Sequence, residues 1–276
     1  MDRISRGFRL LRTSWEVLKQ DRELLVLPVL SFALIVVAAT GLGGLGWAAG
    51  LFHEGEVSNT PVTYVLAFGF YFVTYFISIY FNAAVIGAAM IRLRGGDPTV
   101  RDGLRLARTK VGKIAGWAAV AATVGLILRS LEERAGIFGR IVIGIVGAAW
   151  SAVTFFVVPV LLFEPVGVGS GLKRSASLFK QRWGEQFTGT IGIGLAMFLV
   201  AIPVIVVAVG LGAVAPWLGI AFAVVALGLL AAIGSALSGV FNAALYRFAT
   251  TGEAAGGFSA DDLNGTFRPK RGVWGR

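Results

Sequence analysis

Six apolar stretches divide this chain, at about 24–51, 62–90, 112–130, 137–163, 187–214 and 217–248, and each is long enough to cross a membrane as a helix. At a rise of 1.5 Å per residue, about twenty residues span a hydrocarbon core of about 30 Å. The shortest stretch manages this only if Arg129 snorkels outward at one end and Gly112 and Lys113 complete the other. With 56% hydrophobic and 14% charged residues and a mean hydropathy of +0.79, a chain of 276 residues carries more apolar surface than a water-soluble domain can enclose. The fold expected is all-α: a polytopic membrane protein, residues 1–248 forming one integral domain and 249–276 a cytoplasmic tail.

Ahead of each pair of apolar stretches stands a basic segment. In the first, Ile4, Phe8, Leu11, Trp15 and Leu18 recur at helical spacing, and Arg3, Arg6, Arg9 and Arg12 lie off that stripe. Asp102-Gly103-Leu104-Arg105-Leu106-Ala107-Arg108-Thr109-Lys110 repeats the pattern, as does Ser170-Gly171-Leu172-Lys173-Arg174-Ser175-Ala176-Ser177-Leu178-Phe179-Lys180. The arrangement predicted is three parallel repeats, each an amphipathic cytoplasmic helix followed by two transmembrane helices. Phe81-Asn82-Ala83-Ala84 recurs as Phe241-Asn242-Ala243-Ala244, late in the second helix of the first and third units. The middle unit has Val157-Val158-Pro159 where the asparagine would fall.

The basic residues set an orientation, since only Arg129, Arg134 and Arg140 of the 25 Lys and Arg residues fall on the side opposite the termini. By the positive-inside bias both termini are cytoplasmic. Trp47 and Trp217 then belong near the outer interface, and Trp15, Trp117 and Trp183 near the inner one. A net charge of +10 would suggest nucleic acid in a soluble protein, but in a membrane protein it reflects loops facing anionic lipid, so no nucleic-acid partner is expected. Lipid-headgroup contacts are predicted at Arg6, Arg9, Arg12, Arg105, Arg108, Lys173 and Arg174. The first amphipathic face has two open roles, dipping into the headgroup region or packing on the bundle.

Local signals refine the helices. Thr60-Pro61 caps and opens the second, and Pro216-Trp217 opens the sixth. Pro159 is expected to bend the last turns of the fourth and Pro203 to interrupt the fifth. The glycine run Gly41 to Gly46 either frays its helix end or lets a neighbouring helix approach closely, and the pairs Ala84 and Ala88, Gly144 and Ala148, Gly234 and Ser238 permit close helix packing. Arg129 to Arg134 reads as a polar turn. In the tail, Ser259 and Asp262 form a capping box within a staple of Phe258 and Leu263, predicting a short helix near 260–267.

Reactive chemistry is sparse. With no cysteine and one histidine, thiol nucleophiles, iron–sulfur ligation and multi-histidine zinc sites drop out. His53 with Glu54 and Glu56 reads as a hydrated outer turn, so no metal or cofactor is expected. No ionisable residue falls near the midplane of a span, where proton-coupled transporters keep one. Asn82 and Asn242 are the polar residues that stand out in hydrocarbon, either bonding helices together or lining a shared cavity.

Thr13-Ser14-Trp15-Glu16-Val17-Leu18-Lys19 with Glu23-Leu24-Leu25-Val26-Leu27-Pro28-Val29-Leu30 resembles the opening of an uncharacterised family of bacterial six-helix membrane proteins. Gly171-Leu172-Lys173-Arg174-Ser175-Ala176 and Trp183 are distantly similar to the membrane domains of some glycerophosphodiester phosphodiesterases, but no soluble catalytic domain accompanies them here. The resemblance implies a multi-pass protein of a bacterial plasma membrane. The function expected is non-enzymatic, through contacts with lipids or protein partners, homo-oligomers included. The alternative is a channel or carrier for a neutral or lipidic solute.

Overall fold

A computed structural model describes residues 2–48, 50, 52–53, 56–57, 61–181 and 187–259. In chain order these form α1 (Asp2–Gln20), a 3-10 turn (Arg22–Leu25), α2 (Val26–Ala48), β1 (Phe52–His53), β2 (Glu56–Val57), α3 (Pro61–Leu93) and α4 (Val100–Thr109). They continue with α5 (Val111–Arg134), α6 (Ile137–Thr154), α7 (Val157–Phe163), α8 (Val168–Gln181), α9 (Phe187–Val214) and α10 (Pro216–Thr251). The strands are an antiparallel pair, Phe52 opposite Val57 and His53 opposite Glu56. Among the described residues, six stretches are long and apolar enough to cross a membrane: Arg22–Ala48, Pro61–Leu93, Val111–Arg134, Ile137–Phe163, Ile193–Val214 and Pro216–Thr251. The predicted tail helix, Trp183, Glu54 and the expected Thr60 cap lie outside the described residues.

Two helices are the hubs. Helix α3 packs on α2, α4, α5, α7 and α10, while α10 packs on α1, α2, α3, α7 and α9. Their buried residues concentrate at the end nearest Arg92 and Arg247: Phe81 to Leu93 on α3 apart from Asn82, Ile91 and Arg92, and Ala236 to Ala249 on most of α10, with Val157 to Leu162 of α7 beside them. This basic end holds the core. Toward the other end fewer residues are buried, and α6 buries none of its residues, leaving Ile137, Phe138, Ile141, Val142 and Ile145 exposed. Acyl chains are as apolar as leucine, so such a surface is at home in lipid.

The three short basic helices lie against this core. Thr99 starts α4 with a capping box, its hydroxyl accepting from the Asp102 N–H at 3.2 Å while the Asp102 carboxylate accepts from the Thr99 N–H at 3.0 Å. The buried Gly103 and Ala107 face α3, and a Cβ on Gly103 would fall 2.6 Å from the Ala84 carbonyl oxygen. Helix α8 packs on α6 and α7, with Gly171 against the Leu161 side chain. Helix α1 packs on α9 and α10, burying Leu10, Ser14, Val17 and Leu18 and half-burying Leu11 and Trp15. Its packed face is shifted and broader than the predicted stripe because it serves two neighbours; the side chains of Ile4 and Phe8 lie outside the described residues.

Several expectations need correction. Residues 129–134 continue α5 instead of turning, supported by Arg129 donating to Glu133 one turn on at 3.0 Å and to the Tyr71 hydroxyl at 3.0 Å. Trp117, near the basic start of α5, is turned into the protein: it is buried and stacks on Trp150, with ring centroids 5.9 Å apart. Gly41, Gly43, Gly44 and Gly144 meet no neighbour, whereas Gly219 lies within a Cβ's reach of the Ala208 carbonyl and Gly212. Pro203 sits inside a continuous α9. The fourth span is broken at Phe155 and Phe156, ahead of Pro159, into α6 and α7.

Candidate functional site

The break has a local cause. Proline has no N–H, so Pro159 leaves the Phe155 carbonyl without its partner one turn on. The Asn242 side chain donates to that carbonyl at 3.0 Å. The buried Ser175 hydroxyl donates to the Val153 carbonyl at 2.6 Å and accepts from the Phe156 N–H at 3.1 Å. Helices α10 and α8 thus satisfy backbone groups that α6 and α7 cannot, which apolar surroundings require. The Asn242 side-chain amide oxygen, Oδ1, is buried with no hydrogen-bond partner among the described residues.

Charged groups gather at the basic end. Arg92, at the end of α3, pairs with Asp21 in the corner between α1 and the 3-10 turn and with Asp97 in the loop before α4. Arg247 donates to the Leu93 carbonyl and pairs with Glu253 at 3.1 Å. Glu164, just past α7, accepts from Arg174 at 3.2 Å and from the Tyr246 hydroxyl at 3.1 Å, tying α7, α8 and α10 together.

Between α3, α4 and the end of α7 lies a groove of about 470 Å³. Its floor is apolar, built from Gly87, Met90, Ile91, Leu106 and Phe163. Its rim carries Arg94, Arg105, Asp102 and Thr109. The Arg94 guanidinium stands over the Phe163 ring, 5.9 Å from its centroid, and Arg105 pairs with Asp102 at 2.5 Å. Two guanidiniums against one carboxylate leave the rim with net positive charge and unused donors, since each guanidinium has five N–H groups. Thr99, through its hydroxyl and then its backbone N–H, holds the Asp102 carboxyl below the ordinary aspartate range, so it is ionised at neutral pH.

A second cavity, about 180 Å³, lies between α2, α3 and α10. Ser31, Ser78, Asn82 and Ser235 reach it, among Pro28, Phe32, Ile35, Phe81, Gly228, Ala231 and Ala232. Asn82 and Asn242 therefore do not share a cavity: one lines this space and the other supports the α6–α7 break.

Residues 61–257 match a family described as a family of unknown function, DUF6159. The chain belongs to that family. The matched stretch holds α3 through α10, and with them the rim and floor of the groove, both asparagines and the broken span. The residues that carry the six-helix resemblance, Thr13 to Leu30, lie ahead of it. No curated protein and no solved structure matches the chain, so the distant likeness to glycerophosphodiester phosphodiesterase membrane domains has no counterpart there.

Within this family member the predicted headgroup contacts occupy different settings. The Arg6 side chain lies outside the described residues, and Arg9 is exposed on α1. Arg12 pairs with Glu16 at 3.0 Å, Arg108 and Lys173 are exposed, and Arg174 is engaged with Glu164. Arg105 lines the groove. Sequence reasoning missed Arg94, Asp102, Ser31, Ser78 and Ser235. The Thr99 to Asp102 spacing was a readable cap signal, while the serines fall singly in apolar runs and give no periodic sign of facing one space.

Proposed function

We propose that this chain is a non-enzymatic, multi-pass protein of a bacterial plasma membrane that binds anionic phospholipid at its cytoplasmic face. The groove carries the reading. An apolar floor beneath Arg94 and Arg105 suits a lipid whose phosphate meets the guanidiniums while an acyl chain lies on Met90, Ile91 and Leu106. The clustering of basic residues at one end of the bundle supports a cytoplasmic position for that end and for both termini. Arg9, Arg12, Arg108 and Lys173, exposed on the basic helices, would extend the contact with anionic headgroups.

The internal repeat belongs to the same proposal. Helix α4 rests on α3, α8 on α7 and α1 on α10, so each basic helix lies against the second span of the unit before it, the last contact returning to the start. That order is what three parallel units around a common axis would produce.

Thermal unfolding in detergent doped with phosphatidylglycerol or with phosphatidylcholine tests the reading. Phosphatidylglycerol is expected to raise Tm more, and Arg94→Gln with Arg105→Gln to abolish the difference. Equal shifts for the two lipids would contradict it. The alternative, a channel or carrier for a neutral or lipidic solute, draws on the cavity lined by Asn82.

A further inference from the structure

The cavity between α2, α3 and α10 is a half-open cleft part-way along the bundle, with Ser31 and Gly228 buried at its back and Ser78 and Ala231 exposed at its mouth. Asn82 stands ten residues before Arg92, about 15 Å along α3, and Ser235 twelve residues before Arg247, about 18 Å along α10. If those arginines mark the headgroup level, both residues lie near the middle of a hydrocarbon core about 30 Å thick. In such surroundings an amide or hydroxyl seeks a hydrogen-bond partner. Serine hydroxyls in helices commonly donate back to the carbonyl one turn earlier, as Ser14 does to Leu10 at 2.9 Å. Ser31, Ser78, Asn82 and Ser235 have no hydrogen bond to any described residue, and Ser31 is more than nine-tenths buried. All four line the same space.

We propose that this cavity is a binding site for a small, uncharged solute with several hydroxyl groups, a short-chain polyol. Its lining contains no charged residue, and an ion without a counter-charge at this depth would be strongly disfavoured. Three hydroxyls and an amide supply both donors and acceptors, the complement of a molecule that also does both at each polar atom. The remaining walls, Phe32, Ile35 and Phe81 with the small residues of α10, fit its carbon skeleton. Gly228 helps set the shape, because its missing side chain leaves the place that the Phe32 ring occupies. The inference gives the solute-carrier alternative a site and a ligand class, and it stands apart from the lipid groove. It concerns binding, so its test needs no transport.

The natural chain has no cysteine, which makes a single introduced thiol a clean reporter. Ser78→Cys and Ser235→Cys, in full-length protein reconstituted in liposomes, would be labelled with the small neutral reagent hydroxyethyl methanethiosulfonate, with and without glycerol as probe. Val37→Cys, on the exposed face of α2, is the lipid-facing reference, and Thr109→Cys at the groove rim the control for bulk effects of glycerol. Both cavity thiols are expected to label about tenfold faster than Val37→Cys, and glycerol to slow them about threefold, the factor for two-thirds occupancy, without slowing Thr109→Cys. In the unaltered protein, saturation-transfer NMR should detect bound glycerol, and Asn82→Leu should remove the signal. Labelling no faster than at Val37→Cys would show a dry cavity. Equal rates with and without glycerol, or an undiminished NMR signal in Asn82→Leu, would show that water alone occupies it; each of these results overturns the proposal.

Discussion

The side-chain amide of Asn242 donates to the carbonyl of Phe155 at 3.0 Å, across 87 positions of sequence and onto the one carbonyl that Pro159 leaves unpaired. The asparagine on α10 and the proline on α7 are therefore complementary halves of one device. Their energies should couple. Asn242→Ala is expected to destabilise the fold by about 1–2 kcal/mol, since it strands a backbone carbonyl in apolar surroundings. In a Pro159→Ala background residue 159 regains its N–H, and the same substitution should cost markedly less. A double-mutant cycle followed by detergent-induced unfolding measures the difference; additive effects would separate the two residues.

Glycine positions sort by what their missing side chain leaves room for. A Cβ on Gly219 would sit 2.6 Å from the Ala208 carbonyl oxygen and from the Gly212 Cα, backbone atoms that cannot swing aside. Gly219→Ala should force α9 and α10 apart and lower stability by about 1–3 kcal/mol. Gly41→Ala and Gly144→Ala, whose added methyls meet nothing within 4 Å, should be neutral or slightly stabilising in the same unfolding assay.

Acid should act on the α4 cap. Hydrogen bonds from Thr99 hold the Asp102 carboxyl below its ordinary range. A carboxylate whose folded pKa lies below its unfolded one stabilises the fold above the unfolded value, and that contribution is lost as pH falls through the folded value. The first turn of α4 should thus stay protected at neutral pH and open only in acid below the ordinary aspartate range. Hydrogen exchange at Arg101 to Leu104 across acid pH measures this, and Asp102→Asn should show no such step.

Orientation can be read with the same cysteine-free background. Ser130→Cys, exposed at the end of α5, should react with a membrane-impermeant maleimide in intact cells, and Thr109→Cys only after lysis. The reverse pattern would invert the proposed topology.

How much of this was legible beforehand depended on periodicity. The apolar runs marked all six spans, and cap residues such as Pro61 and Pro216 placed helix starts, because these signals are local. Pro159 announced a disturbance but not its site four residues upstream, nor that Ser175 and Asn242 would fill the gaps, since those partners come from other helices. The charges of Arg129 to Arg134 read as a turn, yet Arg129 and Glu133 stand one helical turn apart and pair, which lets α5 continue through them. The basic segments were visible as a set, yet Arg105 lines the groove and Arg174 turns to Glu164 for reasons of packing alone. Arg94 went unnoticed because Phe163, which it covers, lies 69 positions away.

The most direct test of the lipid reading is native mass spectrometry of the protein gently extracted with its membrane lipids, compared with an Arg94→Gln/Arg105→Gln variant and with Lys173→Gln as a control on another helix. The account predicts anionic phospholipid adducts on the natural protein and on Lys173→Gln, reduced about tenfold or more in the double variant, as loss of charge-assisted hydrogen bonds implies. Equal adducts in all three proteins, or no preference for anionic over zwitterionic lipid, would contradict it.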